Sequence, residues 1–172
     1  IFVFGGSQGS AFLNESIANI IKSFDFNAIQ VLWQTGEKEY QKYKNFRNDA
    51  VKVVPFINDM ANAYALSDLV VCRSGALTLS EVTICGKPSI LIPFAAAAGN
   101  HQLKNAKTLF DAGAAILLEE RDITMKKLFI SINQLISNKK QLNKMSAASK
   151  NLGKPNATKT IVDRIIEVTS NV

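Results

Sequence analysis

The residues best placed to do chemistry are Ser74-Gly75-Ala76-Leu77-Thr78-Leu79-Ser80-Glu81, which come directly after the apolar run Leu69-Val70-Val71-Cys72 and its trailing Arg73. The run reads as a buried parallel strand, Ser74-Gly75 as a turn, and the residues from Ala76 onward as the start of a helix. A helix start leaves its first amides unpaired and carries partial positive charge, so it welcomes an anion such as phosphate. At helical spacing Ser74, Thr78, Glu81 and Cys85 fall on one stripe, and Leu77, Leu79, Val82 and Ile84 flank it as expected packing surface. A carboxylate would repel phosphate, but one turn deeper it can accept both hydroxyls of a ribose joined to that phosphate. The stripe is nucleotide-shaped.

A second glycine-rich turn, Gly5-Gly6-Ser7-Gln8-Gly9, comes after the strand Ile1-Phe2-Val3-Phe4. Its glycines allow a backbone to approach a ligand, and Ser7 can donate to a phosphate or a sugar hydroxyl, although a tight turn alone would use the same residues. The spacing is not G-x-G-x-x-G, and the next strand, 28–33, closes in Gln34-Thr35-Gly36 without an acid, which disfavours an NAD-type site. The turn Pro55-Phe56-Ile57-Asn58-Asp59-Met60 leaves a third strand, 51–54, for a helix with Asn58 as expected cap. Phe56 and Ile57 can wall a pocket there, with backbone polar groups exposed. Further along, Asn100 is expected to cap a helix that brings His101, Gln102 and Asn105 to its start. His101 is the sole histidine, and a histidine near a cap is more often a hydrogen-bonding or surface residue than a base, so no catalytic role is assigned to it.

The elements that must position these groups form a repeating pattern. Apolar runs at 1–4, 28–33, 51–54, 69–72, 89–92 and 114–118 read as strands, each but the last separated from the next by about one helix. That pattern predicts an α/β fold with a doubly wound, six-stranded parallel sheet, Rossmann-like, with helices on both faces. The turns after the first and fourth strands would then flank the topological switch point and meet at one cleft. Glu119-Glu120-Arg121-Asp122 reads as a polar turn, and from Thr124 onward the pattern is helical, broken at Gly153-Lys154-Pro155.

Composition narrows the classes. With 172 residues, 47% of them apolar, the chain supports one domain with one sizeable core. It begins inside a strand and without Met, so a preceding segment is expected. Lysine and arginine exceed the acids by 20 to 14, a net charge of +6, which suits phosphorylated ligands or an anionic membrane surface. The basic residues are scattered without interleaved aromatics, so nucleic acid is not expected as a partner. Cys72 and Cys85 have no metal spacing and read as buried, reduced thiols; no metal and no cofactor are expected.

Gly5-Gly6-Ser7-Gln8-Gly9, Phe56-Ile57-Asn58-Asp59-Met60, Cys72-Arg73-Ser74-Gly75-Ala76-Leu77-Thr78 with Glu81, Pro93-Phe94, and His101-Gln102 with Asn105-Ala106 together resemble the C-terminal half of the MurG family of GT-B glycosyltransferases. The resemblance implies an inverting transferase that moves N-acetylglucosamine from UDP-GlcNAc to lipid I, giving lipid II for peptidoglycan, at the cytoplasmic face of the membrane. It implies that this chain is the C-terminal donor-binding domain (1–172), that the N-terminal acceptor domain lies outside it, and that catalysis by this chain alone is not expected. By the same resemblance Ile57 pairs with uracil through its backbone, and Ala76, Leu77 and Thr78 in the Ser74-Gly75 turn hold the diphosphate. Glu81 would bind the ribose diol, while Ser7, Gln102, Asn105 and His101 would lie beside the phosphates and sugar. The final helix, with Ile161, Ile165 and Val168, would pack against the other half. Two other readings stand beside this one. A UDP-GlcNAc 2-epimerase would need further catalytic acids, and a non-catalytic nucleotide-sugar-binding subunit would complete its site with a separate chain.

Overall fold

In the computed structural model, which describes residues 1–170, each predicted strand is present. The elements are β1 (Phe2–Phe4), α1 (Ala11–Ile20), β2 (Val31–Gln34), α2 (Glu37–Tyr43), β3 (Val51–Val54), α3 (Met60–Ala65), β4 (Val70–Cys72), α4 (Ala76–Ile84) and β5 (Ser89–Leu91). They continue with α5 (His101–Asp111), β6 (Ala115–Leu117), α6 (Met125–Ile136), α7 (Lys139–Leu152) and α8 (Ala157–Ser170). The strands form one six-stranded sheet in the order β3-β2-β1-β4-β5-β6, and every neighbouring pair is parallel. The order reverses between β1 and β4, which pair as Phe2 with Val70 and Phe4 with Cys72. The switch point therefore lies between the two glycine turns, as the strand pattern predicts.

Both faces of the sheet are covered, which is why its strands are continuous apolar runs. On one face Val3, Val31, Trp33, Val53, Val71 and Ile90 pack against Leu13 and Ile17 of α1, Tyr43 of α2, and Leu128 and Ile132 of α6. On the other, Phe2, Phe4, Val70, Cys72 and Leu91 meet Tyr64 of α3, Leu79 and Val82 of α4, and Leu109 of α5. Period-two alternation in β1 sends Val3 to the first cluster and Phe2 and Phe4 to the second.

A buried polar bridge fixes α1 to the sheet. Asn14 donates from Nδ2 to the Thr35 carbonyl at 2.8 Å and accepts from the Trp33 indole N–H at 2.9 Å. The bridge sets the depth of the turn that precedes α1. Within that turn Gly9 has φ +76°, and a Cβ there would stand 2.0 Å from the Thr35 carbonyl oxygen. Gly9 is thus fixed both by conformation and by the approach of the β2–α2 turn.

Some local expectations are corrected. Asp59, not Asn58, caps α3, accepting from the Asn62 amide at 3.0 Å. Asn100 caps nothing with its side chain, because it sits in the left-handed region at φ 55°. Leu77 and Ile84 are not packing surface: they are 82% and 49% exposed, and α4 rests on Leu79 and Val82 instead. Cys72 is buried as expected but Cys85 is exposed. No described residue of α8 is buried, and Ile161, Ile165 and Val168 are all exposed.

Asn14→Ala would orphan the Trp33 N–H and the Thr35 carbonyl in the core, at roughly 1–3 kcal/mol for each buried unpaired group. Urea unfolding should accordingly show a loss of about 3 kcal/mol. A loss below about 1 kcal/mol would show that these groups find other partners.

Candidate functional site

The carboxyl ends of β1, β2, β3 and β4 open onto a cavity of about 330 Å³ lined by Phe4, Gly6, Ser7, Gln34, Phe56, Ile57, Met60, Leu77, Thr78 and Glu81. Ser7, Ile57, Leu77, Thr78 and Glu81, singled out from sequence on separate segments, share this one space. The α4 helix meets it with an uncapped start. Gly75 holds the N-cap position without a side-chain bond, and the first backbone bond of the helix is from the Leu79 amide to the Gly75 carbonyl. The amides of Ala76, Leu77 and Thr78 therefore face outward without a protein partner, whereas α1, α3, α6 and α7 are capped by Ser10, Asp59, Thr124 and Asn138.

One turn deeper, Glu81 is exposed and accepts the Tyr64 hydroxyl at 2.9 Å. Burial is the main reason the Tyr64 phenol is pushed far above its ordinary value, with the neighbouring Cys72 and Glu81 adding to it. Tyr64 thus stays a donor, holding one Glu81 oxygen and leaving the other open. Burial likewise pushes the Cys72 thiol up, which makes it inert packing.

The remaining sequence candidates sit at the next strand ends. Ser74 is buried, and its hydroxyl donates to the Gln102 carbonyl at 2.9 Å, so it braces α5 rather than offering a free hydroxyl. Gln102 accepts the Phe94 amide through Oε1 at 3.0 Å, and Asn105 donates to the Ser74 carbonyl at 3.3 Å. The Gln102 NH₂ and the Asn105 Oδ1 have no hydrogen-bond partner among the described residues. His101 is exposed, with Nδ1 2.8 Å from the Ala98 carbonyl, a contact that a protonated Nδ1 satisfies. None of these four lines the cavity described above.

Two groups that sequence reasoning did not pick out organise the rim. Arg73 is buried and ion-paired through Nη2 with Glu120. It donates through Nη1 to the Ile92 and Pro93 carbonyls, each at 3.1 Å, and through Nε to Ser10 Oγ at 3.1 Å. Its guanidinium also lies against the Phe12 and Phe94 rings. Glu120 in turn accepts the Ala95 amide at 3.0 Å, so the expected polar turn at 119–122 is an anchor for the loop after β5. The one signal in the sequence is an arginine directly after a fully buried strand. Its partner lies too far along the chain to be paired with it by spacing.

The chain matches the profile of the glycosyltransferase family 28 C-terminal domain over residues 1–161. It belongs to that family. Members related to this family 28 domain include, at 45% identity over 98% of this chain, the UDP-N-acetylglucosamine–N-acetylmuramyl-(pentapeptide) pyrophosphoryl-undecaprenol N-acetylglucosamine transferase of Anaeromyxobacter sp. (strain K). The protein of the same name from Myxococcus xanthus (strain DK1622) is 38% identical over 98% of the chain. The chain spans 45% of the length of each of these relatives. Among solved structures, Acinetobacter baumannii MurG superposes with a TM-score of 0.88 at 33% identity, covering 96% of this chain and 49% of that one. The glycosyltransferase VinC, solved with DTDP, shares the fold at a TM-score of 0.65 and 18% identity, covering 96% of this chain and 41% of that one.

Arg73→Met would leave the half-buried Glu120 without its counter-charge, and urea unfolding should show a loss of about 2–4 kcal/mol, somewhat below that for a fully buried pair. Adding Glu120→Gln should restore at least about 1 kcal/mol of that loss, since directly contacting residues couple by about 0.5–3 kcal/mol. Strict additivity would mean that the pair contributes nothing as a pair.

Proposed function

We propose that this family 28 domain is the donor-binding half of an inverting N-acetylglucosaminyltransferase that uses UDP-GlcNAc and acts on lipid I to give lipid II in peptidoglycan synthesis. The observation that carries the reading is the uncapped start of α4 with Glu81 one turn below it, facing Gly6 and Ser7 across the switch-point cavity. The names of the relatives support it, as does the likeness to Acinetobacter baumannii MurG.

In this reading the diphosphate lies on the amides of Ala76, Leu77 and Thr78, where the helix dipole and the N–H groups act together. Ser7 and the Thr78 hydroxyl supply further donors to it. The ribose diol bonds the free oxygen of Glu81, and the base sits against Ile57, Phe56 and Met60. Gln102 and Asn105 lie towards the sugar, and His101 stands at the edge of that region. When the bond from sugar to phosphate breaks, negative charge collects on the diphosphate. The amides that held it in the ground state hold it more strongly as that charge develops, which is electrostatic catalysis without a covalent intermediate. The acceptor and the general base belong to an N-terminal half outside this chain, and α8, with Ile161, Ile165 and Val168 exposed, offers an apolar face to that half.

The same reading places the protein on the cytoplasmic side of an anionic membrane surface. Between Asp122 and Asp163 every charged residue is a lysine. Lys139, Lys140, Lys144 and Lys150 are all exposed on α7, opposite the buried Met145 and Ser149 that face the rest of the domain. Anionic lipid attracts each such lysine by about 1 kcal/mol near the surface. Among the described residues no helix is long and apolar enough to cross a membrane.

Calorimetric titration should show binding of UDP-GlcNAc and UDP, and Glu81→Ala should weaken UDP-GlcNAc by about 1–3 kcal/mol through lost charge-assisted bonds. No binding at millimolar ligand would sink the donor-site reading, and an unchanged Glu81→Ala affinity would remove Glu81 from it. For the surface, the chain should co-sediment with vesicles containing phosphatidylglycerol but not with purely phosphatidylcholine vesicles. Lys140→Glu with Lys144→Glu should abolish that difference; retention at full strength would exclude α7 as the contact.

A further inference from the structure

Glu120, in the turn after β6, divides its two carboxylate oxygens between neighbouring connections. Oε1 pairs with Arg73, and Oε2 accepts the Ala95 amide at 3.0 Å. The adjacent acids Glu119 and Asp122 pair with Arg121 instead. One residue before Ala95, the Phe94 amide donates to Gln102 Oε1 at 3.0 Å. Two consecutive amides of the loop after β5 are thus held by two side chains, one from the turn after β6 and one from the start of α5.

This arrangement sets which way Gln102 faces. An N–H can bond only to the oxygen of a side-chain amide, so Phe94 holds Oε1 towards the loop and turns the NH₂ away from it. A half-turn of the same amide would set donor against donor at Phe94. The facing of Gln102 therefore depends on where the Phe94 amide sits. Packing does little to fix that position, because residues 95–98 are all alanine and residues 94–96 and 98–100 are exposed. The backbone bonds from Ala97 to Phe94 and from Asn100 to Ala97 close turns within the loop and do not tie it to the sheet. The charge-assisted bond to Glu120 does, through a carboxylate that the buried Arg73 anchors in turn.

We infer that Glu120 is a positioning residue for the sugar of the donor: it holds the Ala95 peptide so that Phe94 keeps Gln102 with its NH₂ outward, as a donor to a sugar hydroxyl. The inference rests on the nucleotide-sugar reading of the site and gives a part in it to an acid on a separate connection that touches no ligand. Because Glu120 acts on the loop after β5 and not on the start of α4, its loss alters how the sugar is held and leaves the diphosphate cradle as it was.

The test compares UDP-GlcNAc with UDP by calorimetry, since the ratio of the two affinities isolates the sugar. Glu120→Gln keeps one oxygen for Arg73 and sets an NH₂ against the Ala95 N–H. Ala95→Pro removes the same bond from the other side and leaves the Arg73–Glu120 pair in place. Ala95 is the second residue of the turn closed between Ala97 and Phe94, a position that proline favours. In each variant the ratio of UDP-GlcNAc to UDP affinity should fall at least threefold, with UDP itself unchanged within twofold. Gln102→Ala should lower the ratio at least as far, and adding Glu120→Gln to it should lower the ratio no further, because the acid acts through that side chain. An unchanged ratio in either loop variant overturns the inference even where stability falls, since a purely structural role would move stability and leave the ratio alone. An unchanged ratio in Gln102→Ala, or a further fall in the double variant, overturns it as well. If Glu120→Gln does not fold, Ala95→Pro decides. A chain that binds neither ligand at millimolar concentration overturns the donor reading itself, whereas binding of both with an unmoved ratio overturns this inference alone.

Discussion

Arg73 puts a full positive charge inside the rim of the sheet, and the arrangement of the surrounding loops reflects the need to satisfy it. A buried guanidinium with its donors unmet would cost more than the domain's net stability allows, so its partners must be held in place. The Glu120 carboxylate, the Ile92 and Pro93 carbonyls and Ser10 Oγ are those partners. They belong to three different connections of the doubly wound sheet, so one side chain just past β4 registers the ends of β5 and β6 and the start of α1 against one another. Ser10 is also the cap of α1, which links this hub to the glycine turn. The rim of the cleft is consequently rigid where the sheet itself supplies no cross-links.

The cavity at the switch point depends on a second arrangement. Helices α1, α3, α6 and α7 close their own starts with side chains, while α4 begins at a glycine and leaves its amides open. Glu81 would be an odd neighbour for an anion, but Tyr64 holds one of its oxygens and keeps the carboxylate a turn below the open amides. Positive and negative ends are thus separated along one helix at about the span of a phosphate-linked sugar, which is roughly one turn of 5.4 Å.

Most of the architecture was legible because parallel strands buried on both faces must be apolar throughout, and so stand out as runs such as Leu69 to Cys72. The switch point was readable from strand order alone. Local capping was less legible: Asn58 and Asp59 are both good caps, and the choice between them depends on which residue lies at the helix start in three dimensions. Leu77 and Ile84 misled because periodicity marks an apolar stripe without saying whether the protein or a ligand covers it. Ser74 reads in the sequence as a ligand hydroxyl, but its depth lets it reach the Gln102 carbonyl first. Tyr64 and the Arg73–Glu120 pair were out of reach because their partners are distant in sequence and are joined only by folding.

The open start of α4 has a consequence for turnover. If a nucleoside diphosphate completes that helix, it does so before and after its sugar has left, since base, ribose and amides are the same in both states. Base and ribose are gripped alike in both states, and the amides hold the more highly charged product at least as firmly, so none of these interactions hastens its exit. An enzyme built on this domain would need a separate event, such as movement of the partner half across the cleft, to let the spent nucleotide go.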